Sequence, residues 1–197
     1  MHRLLAHTSI GPTIGTITGH YFNFLEPETS VITIDDIVAG LSKCCRFAGQ
    51  CEGFYSVAQH SVLASYLVPE GHALEALFHD ASEAYTGDIS KPLKNLLGDA
   101  FVRIEKGIEK AIFQRFGLPY PMNPCIKVAD RILLATEQRD LMAKLRDDEW
   151  ASIHGVKPMV QRIHPMEHRE AATLWLNRYR ELTQEISLEM SLLEACG

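Results

Sequence analysis

The stretch ALFHDASEAYTGD, residues 76–88, places a histidine beside an aspartate in an otherwise apolar segment. A buried ionisable group is costly unless it is paired or bound to a cation. Apolar spacing predicts a helix over residues 73–85, in which adjacent side chains diverge by about 100°. One partner can therefore meet both His79 and Asp80 only in a cleft, and we expect other helices to complete the site.

Two further polar residues interrupt apolar stripes on other predicted helices. His60 lies on the apolar face of a helix predicted over 57–68, and Asp130 lies on that of a helix predicted over 126–145. Taken singly, each could be a hydrogen-bonded core residue. Two imidazoles and two carboxylates also suit a divalent cation such as Zn, Mn, Co, Fe or Mg. Together, His60, His79, Asp80 and Asp130 favour a metal site.

Polar residues follow the His-Asp pair along the chain. Glu83 comes four residues after His79, so it would share one side of a helix and could act as a general acid or base. The segment TGDISKPLK then brings Asp88, Lys91 and Lys94. Lysines suit phosphate oxygens, and Asp88 could accept from a sugar hydroxyl. The alternative is a solvated glutamate and loop, which is the preferred interpretation for Lys94.

An arginine and an aromatic residue precede His60. Arg46 could bind a phosphate while the ring of Phe47 stacks on a base. Alternatively, Phe47 is a core residue and Arg46 caps the preceding helix. Trp150 and Trp175 are interpreted as packing residues.

The elements that must position these residues are mainly helical. Apolar spacing and end signals predict helices over 57–68, 73–85, 99–117, 126–145 and 165–186, and Thr33 with Asp36 predicts the capped start of another. Residues 1–32, rich in Thr and Gly, predict one or two short strands that cover the helices. We therefore predict an all-α bundle, with one helical domain over residues 33–197.

Composition restricts the classes of function. The 197 residues include 46% hydrophobic and 22% charged residues, with a formal net charge of -6. This is typical of a globular protein and argues against a broad nucleic-acid face. Five cysteines without a CxxC pair predict no disulfide framework and fit a reduced cytoplasm. No apolar run approaches the roughly 20 residues that span a bilayer.

The order His60, His79-Asp80, Asp130 resembles that of the HD-domain metal-dependent phosphohydrolases, over residues 33–145. RFAGQCEGFYSVAQHS and ALFHDASEAYTGDISKPLK are similar to the compact bacterial and phage branch of 5'-deoxynucleotidases and phage dATP triphosphohydrolases. The resemblance implies an HD-type helical domain with these roles: metal ligands His60, His79, Asp80 and Asp130; catalytic acid or base Glu83; substrate clamp Arg46; acidic residue near sugar and phosphate Asp88. The deoxynucleotidases have tryptophan where this chain has Phe47.

The expected reaction is cleavage of the bond between the 5' oxygen and the α-phosphorus of a deoxynucleotide. A triphosphate, preferably dATP, would yield deoxynucleoside and triphosphate, and Lys91, Lys94 or Arg139 could extend the positive lining that it needs. The alternatives are a 5'-deoxynucleotidase acting on dNMPs, a noncatalytic nucleotide sensor, a structural metal domain and a cyclic-dinucleotide phosphodiesterase. The resemblance also implies a homo-oligomer, in a bacterium or phage-infected cell. The cysteines favour the cytoplasm, and the charge and hydropathy argue against long nucleic acid and membrane partners.

Overall fold

The computed structural model describes residues 11–144 and 150–195, and the side chains up to residue 184. A short antiparallel sheet of β1 (Thr13–Gly15) and β2 (Tyr21–Asn23) comes first. The helices are α1 (Ile34–Lys43), α2 (Val57–Tyr66), α3 (Ala73–Leu77), α4 (Glu83–Thr86), α5 (Lys91–Leu97), α6 (Asp99–Arg115), α7 (Pro124–Leu141) and α8 (His168–Ala195). The predicted mainly helical fold with short N-terminal strands is confirmed.

The sheet is tied to α1 by a single carboxylate. Asp36 accepts hydrogen bonds from the backbone N and Oγ1 of Thr18 and from Oγ1 of Thr33. Thr33 in turn accepts from the backbone N of Asp36 at 3.1 Å, which confirms the predicted helix cap. Although burial raises the pKa of Asp36, these donors lower it below its usual value. The hairpin is thus held where the helical bundle begins.

The core is built around α2, which packs on α1, α3, α7 and α8. Ser56 begins this helix by accepting a hydrogen bond from the backbone N of Gln59. Trp175 of α8 is fully buried, with its ring centroid 5.3 Å from that of Phe78, which confirms its predicted packing role. Phe22 of β2 is also fully buried and joins this core. Because α2 lies in the core, a polar side chain on it needs a buried partner.

The helix predicted over residues 73–85 is interrupted in the structure. It ends at Leu77 and resumes at Glu83, and residues 78–82 form turns. The backbone N of His79 donates to Ala76 O, three residues back, and Ala81 N donates in the same way to Phe78 O. Backbone hydrogen bonds that span three residues wind the chain more tightly than the four-residue bonds of an α-helix. The His-Asp pair therefore lies on this tight turn and not on a continuous helix.

Other helix ends also differ from the predicted ones. The helix predicted over 126–145 is α7, which ends at Leu141, and residue 145 lies outside the described residues. The helix predicted from Pro165 begins at His168. The end of the predicted polar loop, residues 91–94, instead lies in α5. Its proline lies in the first turn, where a missing backbone N–H costs nothing, so the helix begins there.

A glycine lets α1 approach α4 closely. A Cβ atom on Gly40 would lie 2.5 Å from the carbonyl oxygen of Ala84, a separation that real Cβ atoms do not tolerate. Ala84 directly follows Glu83 in the chain. Gly40 therefore sets how deeply the segment after the His-Asp pair lies against the bundle.

The cysteines and the lengths of the apolar helices can be stated for the described residues. Cys44, Cys45, Cys51 and Cys125 are free thiols, and Cys196 lies outside the described residues. Within residues 11–144 and 150–195, none of the helices combines the length and apolar character needed to cross a membrane. The division into residues 1–32 and 33–197 remains a prediction.

Candidate metal and substrate site

Three segments bring the predicted metal ligands together. His60 comes from α2, His79 and Asp80 come from the turns between α3 and α4, and Asp130 comes from α7. Ligand atoms of His60, His79 and Asp130 all lie within 4.8 Å of one another, so this group could hold a metal ion. Asp80 Oδ2 lies 3.1 Å from His79 Nε2 and 3.5 Å from His60 Nε2. All four predicted ligands are therefore neighbours.

Hydrogen bonds behind the two imidazoles turn their other nitrogens toward each other. His79 Nδ1 donates to the carbonyl oxygen of Ala76 at 2.7 Å. His60 Nδ1 lies 2.6 Å from Oε1 of Glu137. The two Nε2 atoms, 3.2 Å apart, face the same point. Fixing Nδ1 as the donor leaves Nε2 available as a ligand, which is the usual arrangement around a metal-binding histidine.

The electrostatics of the cluster favour positive charge. Burial and Arg46 lower the pKa of His60, but Glu137 and Asp130 outweigh them and raise it to about 10. Burial raises the pKa of Asp80, yet His79 and His60 hold it below its usual range. A divalent cation between these groups would replace the protons on the two imidazoles and balance the negative charge of the carboxylates. The donor set therefore fits a cation of intermediate hardness.

Arg46 contacts the same cluster from the turn Arg46–Gly49. Its NH1 lies 3.4 Å from Asp80 Oδ2, and its NH2 lies 3.1 Å from Glu137 Oε2. Burial lowers the pKa of Arg46, but these two carboxylates raise it, so the guanidinium stays charged. The guanidinium is thus directed to the cluster, and the alternative that it caps the preceding helix is wrong.

The turn that carries Arg46 has an unusual backbone. Phe47 and Ala48 adopt left-handed conformations, with φ of 58° and 52°. Such values cost a residue other than glycine on the order of 1–3 kcal/mol and persist only where surrounding contacts impose them. One contact is Asp88, whose Oδ2 accepts from the backbone N of Phe47 at 3.0 Å. Asp88 therefore holds this turn, and its expected contact with sugar and phosphate stays a prediction.

The aromatic ring beside Arg46 has a second aromatic neighbour. The Phe47 centroid lies 5.2 Å from Arg46 Cζ and 5.9 Å from the centroid of Trp150. Both rings are partly exposed. The prediction that Trp150 only packs is incomplete, because its ring extends the partly exposed surface that Phe47 begins. Sequence distance hid this pair, since more than 100 residues separate its members.

Glu83 is buried beside the cluster, and one of its carboxyl oxygens has no hydrogen-bond partner among the described residues. Its Oε1 lies 3.5 Å from Lys94 Nζ, and its Oε2 has no hydrogen-bond partner among the described residues. Burial raises the pKa of Glu83 well above its usual value, and the nearby charges of Asp80 and Asp88 raise it further. The alternative that Glu83 is a solvated glutamate is therefore wrong. A buried, proton-holding carboxyl group here is suited to acid–base chemistry.

The predicted positive lining is only partly present. Lys94 is half-buried between Glu83 and Glu105, so its preferred interpretation as a solvated residue is wrong. Arg139 binds Asp140 and two loop carbonyls, and none of these partners belongs to the cluster. Lys91 is exposed. Among the predicted residues, Arg46 and Lys94 thus supply the positive charge at the site.

One residue of the site was missed from the sequence. Glu137 is fully buried and binds both His60 and Arg46. Burial raises the pKa of Glu137, but Arg46 and His60 lower it, so the group remains a carboxylate. The signal was its position on α7, seven residues after Asp130, which places both on nearly the same side of the helix.

Comparison with known proteins gives two curated relatives. The chain is 42% identical over 174 residues to "Uncharacterized protein YfdR" of Escherichia coli (strain K12), an alignment that covers 87% of this chain and 96% of the relative. It is 34% identical over 138 residues to "Uncharacterized protein RCAP_rcc00048" of Rhodobacter capsulatus, covering 64% of this chain and 70% of that one. No family model matches. The chain belongs to the family of these two bacterial proteins.

Proposed function

We propose that the protein is a metal-dependent phosphohydrolase of the HD type that cleaves deoxynucleotides at the 5' sugar-phosphate ester. The observation that carries this proposal is the meeting of His60 and His79 Nε2 with Asp80 and Asp130, beside a buried arginine. The triphosphohydrolase reaction is our lead, with dATP as the preferred substrate and deoxyadenosine and triphosphate as the products. That preference rests on the resemblance of the two motifs to the phage enzymes.

The four predicted ligands would hold the cation, and the imidazole and carboxylate donors suit Zn, Co, Mn or Mg. When bound, such an ion polarises a phosphate oxygen and lowers the pKa of water. Asp130 is the most exposed member of the cluster, with 41% of its side chain accessible. The substrate would therefore approach from the side of Asp130, because His60 and His79 are buried and Asp130 is accessible.

Arg46 would stabilise the charge that develops on the phosphate. Its guanidinium stays positively charged, and its ion pairs with Glu137 and Asp80 hold it in a fixed orientation before a substrate arrives. Donors that are already oriented need no rearrangement as the reaction proceeds. The proposed clamp role is supported by a guanidinium that is buried, charged and directed at the same cluster as the imidazoles.

Glu83 would supply the proton. Water attacks the α-phosphorus, the bond from phosphorus to the 5' oxygen breaks, and the 5' oxygen takes a proton from Glu83. The proton that the attacking water releases would restore the Glu83 carboxyl group. Because its pKa is raised, Glu83 holds a proton under conditions where an exposed glutamate has lost it. Lys94, 3.5 Å from Oε1, would then stabilise the resulting carboxylate. A noncatalytic sensor would not require a buried acid in this state.

The base would stack on the aromatic pair of Phe47 and Trp150. A base can stack on either ring, and the indole of Trp150 restores the tryptophan that the deoxynucleotidases carry next to the clamp arginine. In this proposal, Asp88 fixes the Phe47 ring through the backbone and lies near the sugar. Lys91, on the exposed side of α5, would contact the outer phosphates of a triphosphate.

A 5'-deoxynucleotidase acting on dNMPs is the second candidate, and one observation favours it. Arg139 is engaged with Asp140 and the loop, so the positive lining contributed by the predicted residues is short. A triphosphate carries more negative charge than a monophosphate and needs more cationic partners. The same bond is cleaved in both reactions, so the site chemistry above applies to each.

Chromatographic product analysis tests the proposal. The purified protein is incubated with Mn, Co, Zn or Mg and, separately, with each dNTP and each dNMP. We expect deoxynucleoside and triphosphate from dNTPs, with dATP cleaved fastest. Cleavage of dNMPs alone would establish the second candidate, and nucleotide binding without cleavage would establish a sensor. Absence of both binding and cleavage would contradict the proposal.

We further propose that the protein is a cytoplasmic homo-oligomer, as related HD proteins imply. Light scattering of the purified protein tests the assembly, and a monomer at micromolar concentration would contradict it. Long nucleic acid is not an expected partner, because the chain carries a net charge of -6.

A further inference from the structure

Glu137 connects two parts of the site that the proposed mechanism treats separately. Its Oε1 lies 2.6 Å from His60 Nδ1, and its Oε2 lies 3.1 Å from Arg46 NH2. The side chain is fully buried. One carboxylate therefore orients both an imidazole that faces the cation position and the guanidinium that faces the phosphate position.

Loss of the partner of either Glu137 oxygen would cost free energy of folding, because the oxygen would then be buried without a hydrogen bond. A buried carboxylate is tolerated only when its oxygens are hydrogen-bonded, and removal of one member of such a group leaves the others unpaired. A carboxylate behind a metal-binding histidine orients the ring and increases its basicity. Glu137 differs in also binding Arg46, so the carboxylate that orients the His60 ring orients the guanidinium as well.

Arg46 has a second contact that is easier to exchange. Its NH1 lies 3.4 Å from Asp80 Oδ2, and that same oxygen faces both imidazoles. An oxygen that serves as a cation ligand has less charge to share with Arg46. NH1 would then be available to an anion, while NH2 stays on Glu137 and the guanidinium keeps its place.

We infer that Glu137 is a positioning residue that links anion binding at Arg46 to cation binding at His60. The inference rests on the proposed function for the roles of Arg46 and His60. It adds a coupling of affinities: the anion binds more tightly when the cation site is filled, and Glu137 transmits part of this effect by holding Arg46.

Calorimetric titration with Mn²⁺ and with inorganic phosphate tests the link without requiring turnover. The titrations use the wild type, Glu137→Gln, Arg46→Ala and the double variant. Glu75→Gln is a matched control, because Glu75 is also buried and paired with a histidine, His72, at 3.2 Å. Circular dichroism establishes that each variant is folded.

We expect Glu137→Gln to lower Mn²⁺ affinity by about 10–100-fold, the loss typical of a partner behind a ligand. It should also lower phosphate affinity in the presence of Mn²⁺ when Arg46 is intact. In the Arg46→Ala background, the loss of Mn²⁺ affinity should persist while the effect on phosphate disappears, because a double-mutant cycle isolates the coupling. Glu75→Gln should leave both affinities within about twofold of wild type.

Two results would overturn the inference. One is an equal loss of phosphate affinity with and without Arg46, which would mean that Glu137 acts by general destabilisation. The other is wild-type binding of both ligands by Glu137→Gln. If that variant does not fold, Glu137→Asp replaces it in the same cycle, since it keeps the charge but cannot reach both partners. A linked pair of sites in a protein that cleaves no nucleotide would uphold this inference and contradict the proposed function.

Discussion

The site has two walls of different construction. The inner wall comprises His60, His79, Arg46 and Glu137, all buried and joined by hydrogen bonds and ion pairs. The outer rim comprises α5 together with the rings of Phe47 and Trp150. Helix α5 buries none of its residues, and both rings are partly exposed.

The difference between the walls separates two tasks. A buried network in which each group fixes the next has few alternative arrangements, so it suits a constant task such as holding a cation and one phosphate. Exposed side chains can change without leaving a buried group unpaired. We therefore expect the inner wall to set the reaction and the outer rim to set which base and how many phosphates are accepted.

Removal of an inner-wall imidazole should have the largest effect. We expect His79→Ala to lose bound metal and to lower turnover by more than the roughly 100-fold that loss of an outer partner can cost. Metal analysis of the purified protein and a turnover assay measure the two effects. His20→Ala, at an exposed histidine, should change neither. Full metal content in His79→Ala would contradict the assignment of this ligand.

Glu83→Gln should separate catalysis from metal binding. We expect turnover to fall by about 10²–10⁴-fold, the range for general acid–base catalysis, while metal content stays at the wild-type level. Glu167→Gln, at an exposed glutamate, is the control. Loss of metal in Glu83→Gln would show that this carboxylate is itself a ligand.

The outer rim should respond in binding rather than in rate. Stacking of a base on an aromatic ring contributes about 1–3 kcal/mol, so Trp150→Ala should raise KM about tenfold or more and leave kcat nearly unchanged. Because the chain has two tryptophans, Trp175→Phe leaves Trp150 as the only indole fluorophore. Nucleotide should quench the fluorescence of Trp175→Phe but not of Trp150→Phe. Absence of quenching in Trp175→Phe would remove Trp150 from the base site.

A smaller effect should appear in the pH dependence of the free energy of unfolding, through Glu109 at the edge of the site. Burial, followed by Glu105 and Asp80, raises the pKa of Glu109 to about 7 from a usual value near 4.5. The folded protein then holds this proton more tightly than the unfolded chain, so its contribution to stability is complete below pH 4.5 and is lost as pH rises through 7.

We expect Glu109→Gln to remove about 1 kcal/mol of this fall, allowing for solvent screening of a partly exposed group. Urea unfolding at pH 4.5 and at pH 8 measures it on the apo protein. Glu70→Gln, at an exposed glutamate, should keep the wild-type pH dependence. An unchanged pH dependence in Glu109→Gln would show that the carboxyl group titrates normally.

Two of the predicted metal ligands were predictable from the sequence because they interrupt apolar faces. His60 and Asp130 are found this way, since helical spacing shows which side of a segment faces the core. The same logic failed to show the break at residues 78–82, because all its residues are compatible with a helix. Glu137 was missed because it lies in the polar run TEQRD, where a charged residue does not interrupt an apolar pattern.

The outer rim was less predictable because its contacts depend on tertiary folding. No spacing rule connects Phe47 with Trp150, which follow different elements and meet only in the folded chain. Likewise, the bonds of Lys94 to Glu83 and Glu105 depend on how α5 lies against α6. Exposed polar residues carry no periodic signal that would indicate such partners.

The close approach of Gly40 to Ala84 gives the site a vulnerable point outside its own residues. Any side chain at position 40 must displace the backbone at Ala84, and Glu83 is the residue directly before it. A random mutagenesis screen for inactive but soluble variants should therefore recover substitutions at position 40 together with those at the ligands. A geneticist who mapped the site from such a screen would place position 40 among the active-site residues, although it would owe its place there to backbone geometry alone.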